Sequence, residues 1–223
     1  MKLVLFDIDG TLIDSAGAGS RSADGAFLDL FAIEDAFHGI RMAGKTDVRI
    51  MKEGLTAHGL PLEDGVMGRI LSRYLIHLER EIRTPRKRLM PGVVELLGAL
   101  EERRDVRLGL LTGNIERGAR IKLGPFGLNE RFSFGAFGDD HEDRDRLLPV
   151  ACRKMQDLGE AAVSLEDCVV VGDTPADVRC AKVHGARAVA VATGPYDRGA
   201  LARSGADRAL ETLEDAAAIL EAL

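Results

Sequence analysis

Asp7 and Asp9 stand one residue apart at the end of a short apolar run, Leu3-Val4-Leu5-Phe6, and are followed by Gly10-Thr11-Leu12. The run reads as a buried strand, and at strand spacing the two carboxylates point to the same side. Like charges held together need a cation or a shared proton. The pair therefore suits a hard metal ion, or a nucleophile working beside a general acid/base. Alone, the same residues also read as an Asp-Gly turn. Two later apolar runs end in polar groups as well. Thr112-Gly113-Asn114 follows Leu110-Leu111, and Gly172-Asp173 follows Cys168-Val169-Val170-Val171. A hydroxyl and backbone N–H groups just before a helix form an anion-binding corner, although Asn114 reads equally well as that helix's N-cap. In the last group Thr174 fits an N-cap, Pro175 the first helical position, and Asp177 the acidic partner of a capping box. Capping leaves Asp173 unexplained. Its carboxylate suits magnesium, which takes a few carboxylates, retained waters and substrate phosphate.

The elements that must position these groups follow from periodicity. After Asp14, Ser15-Ala16-Gly17-Ala18-Gly19-Ser20 reads as a hinge-like linker. Helices are predicted near 20–32, 46–58 and 62–82, the last with the stripe Ile70, Leu71, Tyr74, Leu75 and Leu78. No strand is expected there, and Thr84 to Pro91 reads as a second linker. From Gly92 helix and strand alternate. Helices at about 92–104, 115–123, 144–158 and 175–184 are interleaved with strands at 106–111, 168–171 and 188–191 and with an aromatic-rich segment at 132–137. A short strand near Arg208–Leu210 precedes a terminal helix ending at Leu223. Apolar strands flanked by helices predict an α/β fold, a doubly wound, Rossmann-like parallel sheet covered on both faces. Residues 1–14 and 85–223 would form this core, and residues 15–84 a helical domain inserted after the first strand. Ligands bind beyond the carboxyl ends of such strands, where all three polar groups fall.

Composition narrows the function. A chain of 223 residues has room for one compact domain and a smaller insertion. A net charge of −6 gives no support for nucleic-acid or membrane-surface binding. Arg86-Lys87-Arg88 reads as a solvated connector. The three cysteines, Cys152, Cys168 and Cys180, form no close pair in sequence and no zinc-like spacing. Cys168 and Cys180 read as core fillers, and the sparse set suits a reducing cytoplasm. No signal peptide and no membrane-spanning run are expected, so the expected localisation is cytoplasmic.

Asp7-Ile8-Asp9-Gly10-Thr11-Leu12, Thr112-Gly113-Asn114 and Gly172-Asp173-Thr174-Pro175-Ala176-Asp177, in this order, resemble the haloacid dehalogenase-like (HAD) superfamily, in its magnesium-dependent phosphatase branch. The helical insertion matches the family's cap, and Pro91-Gly92-Val93 its return to the core. The resemblance implies that Asp7 attacks phosphorus and carries an aspartyl-phosphate. Asp9 would protonate the leaving alcohol and then deprotonate the hydrolytic water. Its main-chain carbonyl, with the carboxylates of Asp7 and Asp173, would hold Mg²⁺. Gly10 permits the tight backbone path. Thr112 and the Gly113 amide would bind phosphate oxygens, with Gly10, Thr11 and Asn114 also expected at the phosphate site. Asp177 would support the cation or the opposing basic residue.

One family element departs from pattern. The usual lysine between the second and last motifs is missing, and Lys154 lies inside the following helix. Arg144 takes its place on helix-start placement, with Arg146 as the alternative. In Arg41-Met42-Ala43-Gly44-Lys45-Thr46-Asp47, Gly44 would bring the backbone near the site and Lys45 would face the substrate; alternatively, Thr46 or Asp47 caps a helix and Lys45 is solvated. The acid at Asp9 argues against dehalogenation and phosphonate cleavage. The expected partner is a small phosphorylated metabolite, such as phosphoglycolate or a sugar phosphate, handled by a monomer or homodimer. A phosphomutase of the β-phosphoglucomutase type and a non-catalytic binding protein on this scaffold are the rival readings.

Overall fold

In the computed structural model, residues 1–215 together with Ala217 and Ile219 are described. The expected terminal helix ending at Leu223 lies outside the described residues. The first strand, β1 (Lys2–Phe6), lies between β4 (Val106–Leu111) and β6 (Cys168–Gly172) in a six-stranded sheet. Its order is β5-β4-β1-β6-β7-β8, with β5 Gly135–Ala136, β7 Arg187–Val191 and β8 Arg208–Leu210. Each pairing within it is parallel. Alternation along β1 decides what lies on each face. Val4 and Phe6 pack with Leu96, Leu97 and Leu123 on one side, whereas Leu3 and Leu5 pack with Leu148, Val178 and Ala181 on the other. Such double coverage is why the central strands read as unbroken apolar runs. Phe6 is in register with Leu110 and Val171, so Asp7, Thr112 and Asp173 leave the sheet at nearly one level.

Helices α4 (Val93–Glu101) and α5 (Glu116–Leu123) cover the first face; α6 (Leu147–Asp157) and α7 (Pro175–Lys182) cover the second, with α8 (Arg198–Arg203) beside β8. Within the aromatic-rich segment 132–137, Gly135–Ala136 pairs with β4. Phe132, Phe134 and Phe137 are buried as core anchors. The helix expected from residue 144 opens as a 3₁₀ turn, Arg144–Arg146, because the Asp143 carboxylate accepts the Asp145 N–H there. Folding brings Cys152 and Cys168 together, with Sγ atoms 3.5 Å apart, a proximity that their sequence spacing hides.

The inserted segment forms α1 (Ala18–Phe31), α2 (Asp47–Ala57) and α3 (Asp64–Glu81) around their own apolar cluster. Ile70, Tyr74, Leu75 and Leu78 of the expected stripe are buried in it, with Leu71 partly so. The expected linker from Ser15 is shorter than its composition suggests, since α1 starts at Ala18. Ala18, Ser22, Ala23 and Ala26 are buried, so the small residues serve close packing rather than flexibility. A two-stranded antiparallel ribbon, β2 (Ile13–Asp14) with β3 (Arg88–Leu89), ties the two crossings between insertion and core. Asp14 and Arg88 add an ion pair at 3.1 Å.

Candidate active site

Asp7 continues the line of β1, its N–H donating to Val171 O at 2.9 Å. That bond fixes the carboxylate in the crevice, where it is 6 % exposed. Arg144 is buried opposite, its Nη2 3.1 Å from Asp7 Oδ2 and also bonded to the Asp177 carboxylate. Arg146 is exposed, so Arg144 is the arginine that folding brings to Asp7. Lys154 instead pairs with Asp140 at 2.7 Å. Burial raises the Asp7 carboxyl to about 6; Arg144 opposes this and the nearby Asp177 reinforces it. The Arg144 guanidinium stays charged, since Asp177 and Asp7 outweigh its burial.

Asp9 faces a different set of groups. Its carboxylate accepts hydrogen bonds from Lys122 Nζ at 2.6 Å, Asn114 Nδ2 at 2.9 Å and Ser15 Oγ at 2.8 Å. Burial disfavours its charge, but Lys122, Asn114 and Ser15 outweigh that and hold the carboxyl below its ordinary range. Asn114 also donates to Thr112 Oγ1 at 2.9 Å and accepts from Lys122 at 2.5 Å. Asn114 is therefore not the helix cap. The α5 N-terminus is served from outside, by Asp47 Oδ2 accepting the Ile115 N–H at 2.9 Å and Asp139 Oδ1 accepting that of Glu116 at 3.0 Å. Asp47 belongs to α2, whose own N-cap is Thr46. Its N–H donates to Gly113 O at 2.7 Å, so the insertion is clamped onto the Thr112-Gly113-Asn114 corner. Gly113 must be glycine, because a Cβ there would lie 2.1 Å from Lys45 O.

Carboxylate oxygens of Asp7, Asp173 and Asp177 lie within 4.8 Å of one another, a grouping able to hold a metal ion. Burial, then repulsion from Asp177 and Asp7, raises the Asp173 carboxyl well above its usual range. Hard oxygen donors with surplus buried negative charge fit a divalent cation. The backbone makes room for Asp173 at Gly10, which has φ +80° and where a Cβ would come 2.3 Å from Asp173 Oδ2. One expectation changes here and another is met. Thr11 donates its hydroxyl to Asp173 Oδ1 at 3.2 Å, so it orients that acid instead of reaching a phosphate. Asp177 accepts from Thr174 N at 3.0 Å and Thr174 Oγ1 at 2.7 Å while pairing with Arg144. It caps α7 and anchors the arginine, as expected of it.

Residues 1–185 match the sequence profile of the haloacid dehalogenase-like hydrolase family. The chain belongs to that family. It is 31 % identical over 216 residues to the phosphoglycolate phosphatase of Rhodospirillum rubrum, covering 92 % of this chain and 85 % of that one. The phosphoglycolate phosphatase of Synechococcus elongatus is 30 % identical over 222 residues, 96 % of this chain and 95 % of that one. A hydrolase from Pseudomonas syringae matches in structure with a TM-score of 0.74 and 26 % identity over 99 % of this chain and 98 % of that one. CbbY from Rhodobacter sphaeroides, solved in complex with phosphate, shares the fold, with a TM-score of 0.74 and 19 % identity over 96 % of each chain. These relatives bear out the expectation of a phosphatase enzyme.

Within this HAD site lies a cavity of about 330 Å³ between core and insertion. Asp7, Asp9, Gly10, Thr112, Gly113 and Asn114 line it, and so does Lys45. Gly44, with φ +78°, brings its backbone against Thr174 and Ala176, as expected. Lys45 pairs with Glu53 at 2.5 Å while its stem borders the cavity. Lys122, Asp47 and Tyr74 also face the cavity and were not foreseen as site residues. Lys122 follows Ala119 by three residues and precedes Leu123, both buried on α5. A lysine on the inward stripe of a short helix was the available signal. No helix among the described residues is long and apolar enough to cross a membrane.

Proposed function

We propose that the chain is a Mg²⁺-dependent phosphatase that hydrolyses a small phosphate monoester through an aspartyl-phosphate on Asp7. The observation that carries this reading is the buried Asp7 carboxylate set between the Arg144 guanidinium and the acids Asp173 and Asp177. Mg²⁺ held by Asp7, Asp173 and the main-chain carbonyl of Asp9 would offset repulsion between the nucleophile and the phosphate dianion. The Asp9 side chain is engaged by Lys122, Asn114 and Ser15, which leaves that carbonyl as its contribution to the cation. Thr112 and the Gly113 amide hold phosphate oxygens, and Arg144 supplies a fixed charge with directed donors. Asp7 attacks phosphorus as the P–O bond to the alcohol breaks. This step draws on the fraction of enzyme in which Asp9 is protonated, against the Lys122, Asn114 and Ser15 contacts that favour its ionised form, and Asp9 gives that proton to the leaving oxygen. Ionised Asp9 then takes a proton from water, which attacks phosphorus and regenerates the Asp7 carboxylate.

Phosphoglycolate, named for the relatives, is one candidate ester. Purified protein with Mg²⁺ should hydrolyse p-nitrophenyl phosphate, and Asp7→Asn should abolish turnover. Absence of turnover by the wild-type enzyme, with ligand binding intact, would support the non-catalytic reading instead. Phosphate release from a sugar phosphate separates hydrolysis from mutase chemistry, which returns the phosphoryl group to sugar.

A further inference from the structure

One polar side chain lining the cavity has neither a task in phosphoryl transfer nor a hydrogen-bond partner among the described residues. Tyr74, on α3, is 1 % exposed and lines the cavity, and its Oη has no hydrogen-bond partner among the described residues. A buried hydroxyl is ordinarily satisfied. Burial and the nearby Asp47 and Asp9 carboxylates keep its proton on, and the Asp47 carboxylate lies near Oη without completing a hydrogen bond to it. A methyl group on Gly19 would stand 3.2 Å from Lys122 Nζ and 3.7 Å from Tyr74 Oη, so the two polar ends border one small space. The Lys122 ammonium has three donors and directs bonds to Asp9 and Asn114. Asp47 lines the same cavity, with Oδ2 committed to Ile115. The corner thus combines O–H and N–H donors with a carboxylate acceptor, beside the apolar surfaces of Met42, Ile50 and Met51.

We infer that this corner receives an uncharged hydroxyl on the alcohol half of the ester, making the substrate a short hydroxylated phosphate monoester and not one ending in a carboxylate. The inference rests on the phosphatase reading. A hydroxyl both donates and accepts, so it can give its proton to Asp47 while accepting from Tyr74 or Lys122. A carboxylate only accepts and would face the like charges of Asp47 and Asp9. Lys122 is already balanced by Asp9, and Lys45 by Glu53. Phosphoglycolate, the ester in the relatives' names, ends in a carboxylate.

Three two-carbon esters that differ only at the far end provide the test: 2-hydroxyethyl phosphate, ethyl phosphate and phosphoglycolate. The expected kcat/KM for the hydroxyethyl ester is about tenfold above each of the others, the value of one well-made hydrogen bond. Tyr74→Phe, which removes only the unpartnered oxygen, should bring the hydroxyethyl-to-ethyl ratio to within about twofold, mainly through KM. Equal hydroxyethyl and ethyl values, or a preference for phosphoglycolate, would overturn the inference while leaving a phosphatase that cleaves aryl phosphate. A hydroxyl preference that survives Tyr74→Phe would overturn the assignment to this corner. Failure to cleave all of these esters, the aryl phosphate included, would remove the phosphatase reading itself.

Discussion

At the scale of single residues, the site separates two acids by giving them opposite partners. Asp7 faces an arginine already shared with Asp177, while Asp9 has a lysine and two neutral donors. Arg144→Ala removes a buried charge-assisted contact, so inorganic phosphate should bind about 10- to 100-fold more weakly, as read by competitive inhibition. Arg146→Ala, at an exposed position, should change it little, and the reverse ranking would contradict the role given to Arg144. For Asp9→Asn, an activated aryl ester should still phosphorylate Asp7, whereas alkyl ester turnover falls about 100-fold or more. Rapid-quench burst measurements with both ester types check this; equal loss on both would exclude an acid/base role. Motif residues were legible because each ends an apolar strand. Lys122 was not, because its identity as a buried partner depends on Asp9 lying 113 positions away in sequence.

Elements carry the coupling between insertion and core. Helix α5 would begin at bare N–H groups if Asp47 and Asp139 did not accept from Ile115 and Glu116. The phosphate corner precedes α5 directly, so a cap supplied by α2 orders both. Asp47→Ala should lower unfolding stability by about 1 kcal/mol, the usual cost of losing a cap acceptor. It should also raise KM for the phosphate ester. Asp47→Asn keeps an acceptor oxygen and should recover most of both, by urea titration and initial rates. A destabilised Asp47→Ala with unchanged KM would show that the clamp does not order the corner. Periodicity revealed the α2 and α3 faces but not what they touch, since it reports burial rather than partner. The β2–β3 ribbon escaped for a simpler reason: two-residue strands show no alternation. Small residues after Ser15 resembled a linker because close helix packing and flexibility draw on the same amino acids.

For the molecule as a whole, the buried acids make stability depend on pH in a direction that a cation should alter. The folded-state values of Asp7 and Asp47 are raised from 3.8 to about 6, and burial with the neighbouring acids Asp177 and Asp7 raises that of Asp173 as well. A raised carboxylate binds its proton more tightly in the folded than in the unfolded chain. Between about pH 4 and 6 the native state therefore holds more protons, and stability falls as pH rises through this window. Asp9 lies below its ordinary value, and its opposing contribution is lost only in more acidic solution, below the ordinary carboxylate range. A tenfold difference in proton affinity between folded and unfolded chain is worth about 1.4 kcal/mol, so metal-free protein should melt on the order of 5 °C higher near pH 5 than near pH 7.5. On the proposed reading Mg²⁺ would bind the ionised forms of Asp7 and Asp173, so its stabilisation should be large at the higher pH and small at the lower one. Part of the slope should survive saturating Mg²⁺, because Asp47 belongs to the clamp and not to the Asp7, Asp173 and Asp177 cluster. Asp47→Asn should remove that remainder. Melting curves across this range, with Mg²⁺ or with chelator, separate the two contributions. An equal Mg²⁺ effect on melting at both pH values would mean that the ion binds elsewhere than at the buried acids.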